Sequence, residues 1–281
     1  VILELGSEHR FDITHRALVM GILNRTPDSF FDGGQYFDFD GFLRKADGLV
    51  ADGADFLDVG GVKAGPGPEV GTEEELERVV PAVEALRARL DVPISVDTWN
   101  PVVLRAALGA GACVGNDISG FAHPDYLPTC AEFGASVVAT HIRLGPRIPD
   151  PDPHYDDLRR DVREFLAERG RRAQAAGIPR ERIMVDDGLD LGKTEAQSLE
   201  LLRSSDELAA LGYPAFLSAS NKRFLGELLG LDVKDRREAS HAAHTLGVTL
   251  GCRVLRAHDV RGARRTVDLV AALLMAQAER V

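Results

Sequence analysis

Cysteine is scarce in this 281-residue chain: Cys113, Cys130 and Cys252 are the only three. An odd number with no CxxC or Cys/His spacing excludes a disulfide framework and a zinc site of the usual kind. Three buried thiols in a reducing compartment are the expected reading, and no base neighbours them in sequence to make one a nucleophile. Basic residues are also in deficit, 33 Lys and Arg against 44 Asp and Glu, for a net charge of −11. That balance argues against a nucleic-acid binder, which needs surplus cations to neutralise phosphates, while leaving room for a locally basic pocket. No apolar run approaches the roughly twenty residues of a membrane span. The N-terminal stretch VILELGSEHRFDITHR lacks the charged-then-apolar order of a secretory signal, so a cytoplasmic protein is expected. Two signatures are missing as well. No GxGxxG follows the first strand, as a dinucleotide fold would need, and no GxSxG elbow supports a hydrolase triad.

What is present is a repeated alternation. Hydrophobic residues make up 44% of the chain and charged residues 27%, ordinary proportions for a globular protein with a full core. The N-terminal stretch reads as a short β-hairpin around Gly6 and Ser7. Eight β-branched apolar runs then begin near Ala17, Asp55, Pro93, Cys113, Ser136, Arg182, Pro214 and Cys252, each ending in polar residues. Helix-period segments such as FDGFLRKADGLVADG and TEEELERVVPAVEALRARL lie between them. Thr72 and Glu75 have capping-box spacing, and Gly53, Gly111, Gly177 and Gly212 stand where helix C-caps require glycine. Eight strands alternating with eight helices predict a single-domain α/β fold, a (β/α)8 TIM barrel over residues 1–281, with a doubly wound open sheet as the alternative. The proline-rich segment 143–157 suits neither helix nor strand and is expected to form a flap after the fifth barrel strand.

In such barrels the chemistry sits at the C-terminal ends of the strands. Those ends carry Asn24, Asp58, Asp97, Asn116 with Asp117, His141, Asp186 with Asp187, Ser220 with Lys222, and Arg256 with His258. Each alone is as compatible with structure as with function, but burying them all unpaired would cost about 1–3 kcal/mol apiece. A polar ligand pairing with several is the economical explanation. Asp97, Asn116 and Asp186 suit a flat heterocycle bearing several N–H donors. Lys222, Arg256 and His258 come from the last two strands, where barrels place phosphate sites. Arg256 and His258, two apart on a strand, should face the same way. With Asn24 and a divalent metal they can hold a pyrophosphate.

The motifs MGILNRTPDSFFDGG (20–34), SVDTWNP (95–101), GNDISG (115–120), DDGLDLGKT (186–194), SASNKRFLG (218–226) and RAHDV (256–260) resemble, in order, those of the dihydropteroate synthase family. That resemblance implies condensation of 6-hydroxymethyl-7,8-dihydropterin pyrophosphate with p-aminobenzoate, a transferase step of folate biosynthesis. It further implies a pterin slot of Asp97, Asn116, Asp186 and Lys222, with Asp97, Lys222, Arg256 and His258 in catalytic roles. It places Asn24 on Mg2+, and Arg256 and His258 on the pyrophosphate. Thr26, Asp32, Lys63 and Ser220 fall in the loops facing the second substrate, and a homodimer is implied. The second loop departs from the family's DIGGESTRPG: here it reads DVGGVKAGPG, and the Ser-Thr-Arg trio is gone. An Arg fork is lost, and Lys63 is a different kind of cation two positions earlier. Ser220-Asn221-Lys222 replaces SRK, and Asp187 replaces a proline. NRTPDSF, GGVKAGPG and SNK together resemble a divergent actinobacterial paralogue group regarded as lacking the ordinary synthase activity. The chain therefore admits two readings, an enzyme with altered amine recognition or a non-catalytic pterin-binding paralogue. A corrinoid-dependent pterin methyltransferase of similar architecture is disfavoured by the anion-binding residues.

Overall fold

The computed structural model describes residues 1–25, 39–65 and 67–278. Strands β1 (Ile2–Leu5) and β2 (His9–Asp12) pair antiparallel as the expected hairpin. Then follow β3 (Leu18–Asn24), α1 (Phe39–Ala51), β4 (Phe56–Gly60), α2 (Thr72–Arg89), β5 (Ile94–Asp97), α3 (Pro101–Gly109) and β6 (Val114–Asp117). The second half carries α4 (Tyr126–Glu132), β7 (Ser136–Thr140), α5 (Leu158–Ala175), β8 (Ile183–Asp186), α6 (Glu195–Arg203) and α7 (Ser205–Ala209). It ends with β9 (Ala215–Leu217), α8 (Arg223–Leu229), α9 (Arg237–Thr249), β10 (Val254–Ala257) and α10 (Val260–Ala278). Strands β3 to β10 pair in parallel and close into a barrel, β10 returning to β3. The open-sheet alternative is excluded.

The period-2 geometry of a strand sorts the side chains. One set, including Leu57, Val59, Val96, Val185 and Leu255, packs into the large apolar layer under the helices. The alternate set faces inward. Low in the barrel it is apolar: Met20, Phe56, Val114, Val138, Met184, Phe216 and Val254 form a separate cluster that Leu3, Leu5 and Ile13 of the hairpin seal from below. Two residues further along the same inner face stand Asp58, Asn116, Asp186 and Arg256, and Asp97 follows the buried Ser95 in the same way. The barrel thus has an apolar floor and a polar ceiling.

The glycines expected at helix ends, Gly53, Gly111, Gly177 and Gly212, all adopt positive φ, where a side chain would be strained. The capping box does not form. Gly71 is the N-cap of α2 without a side-chain bond; Thr72 accepts a hydrogen bond from Asn100, and Glu75 is buried against the Thr98 hydroxyl at 2.6 Å. Tertiary partners at the top of β5 have taken both side chains. Residues 143–157 form neither helix nor strand, as expected, but they are tied down. Arg143 pairs with Asp150, and the Tyr155 hydroxyl donates to the Gly192 carbonyl at 2.7 Å.

Because the hairpin closes the floor through a few large side chains, Leu5→Ala should cost about 2–4 kcal/mol. The measurement is the shift in urea midpoint; an unchanged midpoint would show that the hairpin adds nothing to barrel stability.

Candidate active site

Arg256 rises from the inner face of β10 into the polar ceiling. Its Nε donates to Asp58 Oδ2 at 2.7 Å and its Nη2 to Asp97 Oδ2 at 2.9 Å. The guanidinium therefore bridges the ends of β4 and β5 from β10, reaching past the intervening β3. Asn116 adds a second bond to Asp58 Oδ2, from its amide nitrogen at 3.1 Å. Asp58 is fully buried, and its other oxygen, Oδ1, has no hydrogen-bond partner among the described residues. Asp97 is raised to about 7, by burial first, against the pull of Arg256, with Asp58, Glu75 and Asp117 adding repulsion. Asp186 is also raised, by burial, and accepts the Gly188 N–H at 2.9 Å.

Lys222, the N-cap of α8, points its ammonium at the Leu189 carbonyl, 3.0 Å away, and lowers Asp186 electrostatically. Behind it the loop after β8 is stapled by Lys193, which is almost wholly buried. Its ammonium donates to the carbonyls of Gly188 at 2.9 Å, Leu191 at 3.0 Å and His141 at 3.3 Å, and lies 3.0 Å from His141 Nδ1. Burial drives Lys193 down to about 7 and Asp187 up to about 7. Gly188 is required at this turn: with φ +66°, a Cβ there would stand 2.0 Å from the His141 carbonyl. Asp190, at φ 68°, caps α8 from the same loop, accepting the N–H groups of Arg223 and Phe224.

His258 lies just past the end of β10, and its edge reaches solvent. Ser220 Oγ accepts its backbone N–H at 3.1 Å and lies 3.0 Å from its Nδ1. With the serine proton directed to Nδ1, Nε2 carries the ring hydrogen and offers a donor to an anion. Burial within the mouth, then Arg256, Lys45 and Lys222, hold this imidazole below the ordinary value, so it is neutral at pH 7. Ser220, expected beside the second substrate, thus orients His258. Arg256 and His258 share the mouth but not their partners: the first is engaged by carboxylates, the second by a hydroxyl.

Asn24 ends β3. A Cβ placed on Gly60 would stand 3.4 Å from Asn24 Oδ1 and 3.6 Å from Asp97 Oδ2, so the bare glycine leaves a recess bounded by two oxygens. Thr26 and Asp32 lie outside the described residues. Lys63 sits on the exposed loop after β4, and the neighbouring backbone is clasped from across the mouth by Arg147. The Arg147 N–H donates to the Ala64 carbonyl at 3.3 Å, and its guanidinium donates to Lys63 O at 3.5 Å and Pro68 O at 2.5 Å. Arg78 adds a bond to Gly61 O at 2.8 Å.

The expected set Asp97, Asn116, Asp186, Lys222, Arg256 and His258 is therefore gathered at one end of the barrel. Asp58 is the residue that the expected set omitted; its place two residues before Gly60, on the inner face, was the available signal. Lys193 was quoted within a motif, but nothing in its spacing showed that it would be buried. The thiols are no part of the site: burial raises Cys113 to about 11 and Cys252 to about 12, and Cys130 is raised too.

A family model described as pterin binding enzyme matches residues 20–258. The chain belongs to this pterin-binding family. Among relatives, a Mycobacterium leprae protein named inactive dihydropteroate synthase 2 is 42% identical, the match covering 92% of this chain and 91% of that one. Bacillus subtilis dihydropteroate synthase is 39% identical over 92% and 89% of the two chains. The fold matches Yersinia pestis dihydropteroate synthase, solved with a sulfonamide drug, at a TM-score of 0.91 and 36% identity, covering 98% of this chain and all of that one. Xanthomonas albilineans dihydropteroate synthase with 4-aminobenzoic acid matches at 0.88 and 39% identity, covering 99% and 98%. The chain thus resembles proteins named dihydropteroate synthase and a paralogue named inactive. No helix among the described residues is long and apolar enough to cross a membrane.

Arg147→Ala should release the loop after β4 while leaving Asp58, Asp97 and Arg256 in place. Hydrogen exchange should then lose protection in residues 61–71 and 143–150 but not in β4 or β5. Unchanged protection in both loops would show that the clasp does not hold them.

Proposed function

We propose that this chain is a dihydropteroate synthase-like transferase whose polar ceiling receives the pterin ring of 6-hydroxymethyl-7,8-dihydropterin pyrophosphate. The supporting observation is the buried group formed by Asp58, Asp97, Asn116 and Asp186 around Arg256, with Asp58 Oδ1 unpartnered among the described residues. A heterocycle presenting several N–H donors satisfies such acceptors in charge-assisted bonds. Lys222, beside Asp186, supplies the complementary donor for a ring carbonyl.

Departure of pyrophosphate from the pterin methylene leaves positive charge on carbon, and the amine nitrogen forms the new bond as the C–O bond breaks. Carboxylates under the ring favour that charge. His258, held by Ser220, faces the leaving anion with Nε2–H, and the guanidinium donors of Arg256 not used by Asp58 and Asp97 lie beside it. The displaced amine proton passes to solvent or to a departing phosphate oxygen.

Mg2+ fits the recess above Gly60. Its hard oxygen chemistry matches Asn24 Oδ1, and a single protein ligand suffices where phosphate oxygens and water complete the shell. When bound, the ion supplies charge neutralisation to the leaving group. The second-substrate side differs from the family pattern, for Lys63 stands on a loop without the Ser-Thr-Arg trio. We therefore assign the altered specificity to the amine. A second reading, a non-catalytic pterin-binding paralogue, draws on the name of the mycobacterial relative and on that same loop.

We propose a homodimer formed through the late helices. Leu269, Leu273 and Met275 of α10 and Leu246 of the adjacent α9 are exposed, apolar side chains that a second copy can cover. Sedimentation of the wild type should give a dimer and Leu269→Glu/Leu273→Glu a monomer; a monomeric wild type at assay concentration would reject it.

Incubation with the pterin pyrophosphate, Mg2+ and a panel of aromatic amines including p-aminobenzoate should release pyrophosphate. Pterin binding without release for any amine would instead establish the non-catalytic paralogue. Asp97→Asn should weaken pterin binding by about 10- to 100-fold. The pH dependence has a defined sign. The ring needs ionised carboxylates, yet free Asp97 is raised from 3.8 to about 7. Binding pulls that value down, so protons are released on binding below about pH 7 and affinity rises with pH up to that point. Calorimetry in buffers of different ionisation enthalpy measures the release; net proton uptake would show that the protonated acid is the binding form.

A further inference from the structure

Lys193 is a buried cation that the chemistry proposed above does not use. It is 1% exposed, and its contacts are all to uncharged groups: the carbonyls of Gly188, Leu191 and His141, and the His141 ring. That ring is neutral, because burial, and then Lys193 itself, hold it far below its ordinary value. Enclosing an ammonium with no carboxylate among its contacts is costly. Asp187 and Asp186 favour its charge only from further away. What the ammonium gives in return is the shape of one loop.

Carbonyls of residues 188–191 serve two lysines. Those of Gly188 and Leu191 accept from Lys193, at 2.9 and 3.0 Å, and the Leu189 carbonyl between them accepts from Lys222 at 3.0 Å. With the outer two pinned to Lys193, the Leu189 peptide is held with its oxygen toward Lys222. The next residue, Asp190, accepts the N–H groups of Arg223 and Phe224 in the first turn of α8, the helix that Lys222 precedes. The loop therefore grips Lys222 twice, at its ammonium and through its helix. It also gives the Gly188 N–H to Asp186 at 2.9 Å. The far anchor of Lys193 is fixed in turn: the His141 N–H donates to the Asp186 carbonyl at 2.9 Å, and its ring packs edge-on to Phe165 with centroids 4.9 Å apart.

Resting on the pterin reading above, we propose that Lys193 is a positioning residue for the slot: by gathering the carbonyls of the loop after β8, it aims the Lys222 ammonium at the ring carbonyl. The slot thereby prefers a ring bearing an oxo group to one bearing an amino group at the same place. An ammonium has donors only, so it meets an acceptor well and a second donor poorly. Without Lys193, Lys222 keeps its charge and loses its direction.

The full-length wild type, Lys193→Met, Lys222→Met and the double variant are titrated calorimetrically with two probes. One is 6-hydroxymethylpterin; the other is its 2,4-diamino counterpart, in which an amino group replaces the ring carbonyl. The wild type should prefer the oxo ring. Lys193→Met should weaken oxo-ring binding by about tenfold and leave the diamino ring within about twofold, so that the preference collapses. In the Lys222→Met background the same substitution should change oxo-ring binding by less than about twofold, because Lys193 then has nothing to aim. Lys193→Gln, which keeps two N–H donors for the carbonyls, is held to the same criteria with a smaller loss, and replaces the methionine variant if that does not fold. The proposal is overturned by equal affinity of the wild type for the two rings, by unchanged oxo-ring binding in Lys193→Met, or by equal loss for both rings. Losses that add in the double variant overturn it too, since they mark a merely structural lysine. If neither ring binds the wild type, the pterin reading fails and this inference with it; if the rings bind and only the coupling is missing, the inference alone fails.

Discussion

A single buried cation makes the upper barrel possible. Asp58 and Asp97 stand side by side at the ends of adjacent strands, where water is largely excluded, and two bare carboxylates there would repel and lack solvation. Arg256 comes from a strand on the far side of their sheet neighbour β3 and bonds to both. Such a buried arrangement is weak evidence for stability, since desolvation offsets much of the attraction, but removing one partner is severe. Its effect is on specificity. The pairing fixes the rotation of three strand ends and thereby the directions of Asp58 and Asp97. Arginine suits this place because its fork reaches two carboxylates at once and stays charged when buried.

Loops above the ceiling follow the same logic, with backbone carbonyls as the acceptors. Lys193 gathers three carbonyls of the β7 and β8 loops, and Arg147 gathers two from the loop after β4. Each cation sets the shape of a loop that its own sequence underdetermines. Arg147 has a bearing on the divergence of the second loop. Where the family pattern puts an Arg within that loop, this chain holds the loop by a guanidinium from the opposite side of the mouth. The loop is therefore held from outside while the chemical groups it presents are changed.

The fold was legible because two periods coincide. Strand runs of β-branched residues ending in polar groups, separated by helical segments, leave few architectures, and the family motifs fall at the strand ends in order. Which residues reach the mouth was legible for the same reason. Partners were not. Asp58 and Asp97 look alike in sequence, yet only the closed barrel shows Arg256 between them. Ser220 could be placed near the second substrate, but its bond to His258 had no signal in the sequence. Thr72 and Glu75 had the spacing of a capping box, but Asn100 and Thr98 arrive from β5 and α3, and no local pattern announces a neighbour 23 or 28 residues away. His241 and His244 sit on one helix among alanines, where spacing alone reads as surface. His244 is buried where α9 packs among its neighbouring helices α6 and α10.

The N-terminal hairpin has a consequence for the order in which the molecule assembles. Its tertiary partners are distant in the chain: Gly6 donates to Ser136, 130 residues on, and Glu4 pairs with Arg182, 178 residues on. Leu3 and Leu5 therefore have nowhere to be buried until β7 and β8 exist. Until then the apolar side of β1 stays exposed, and the floor of the barrel is sealed late. Contacts of such long sequence separation slow folding, and an uncovered hairpin offers edges to other chains. The seal that gives the finished barrel its floor is thus the part of the nascent chain most in need of protection.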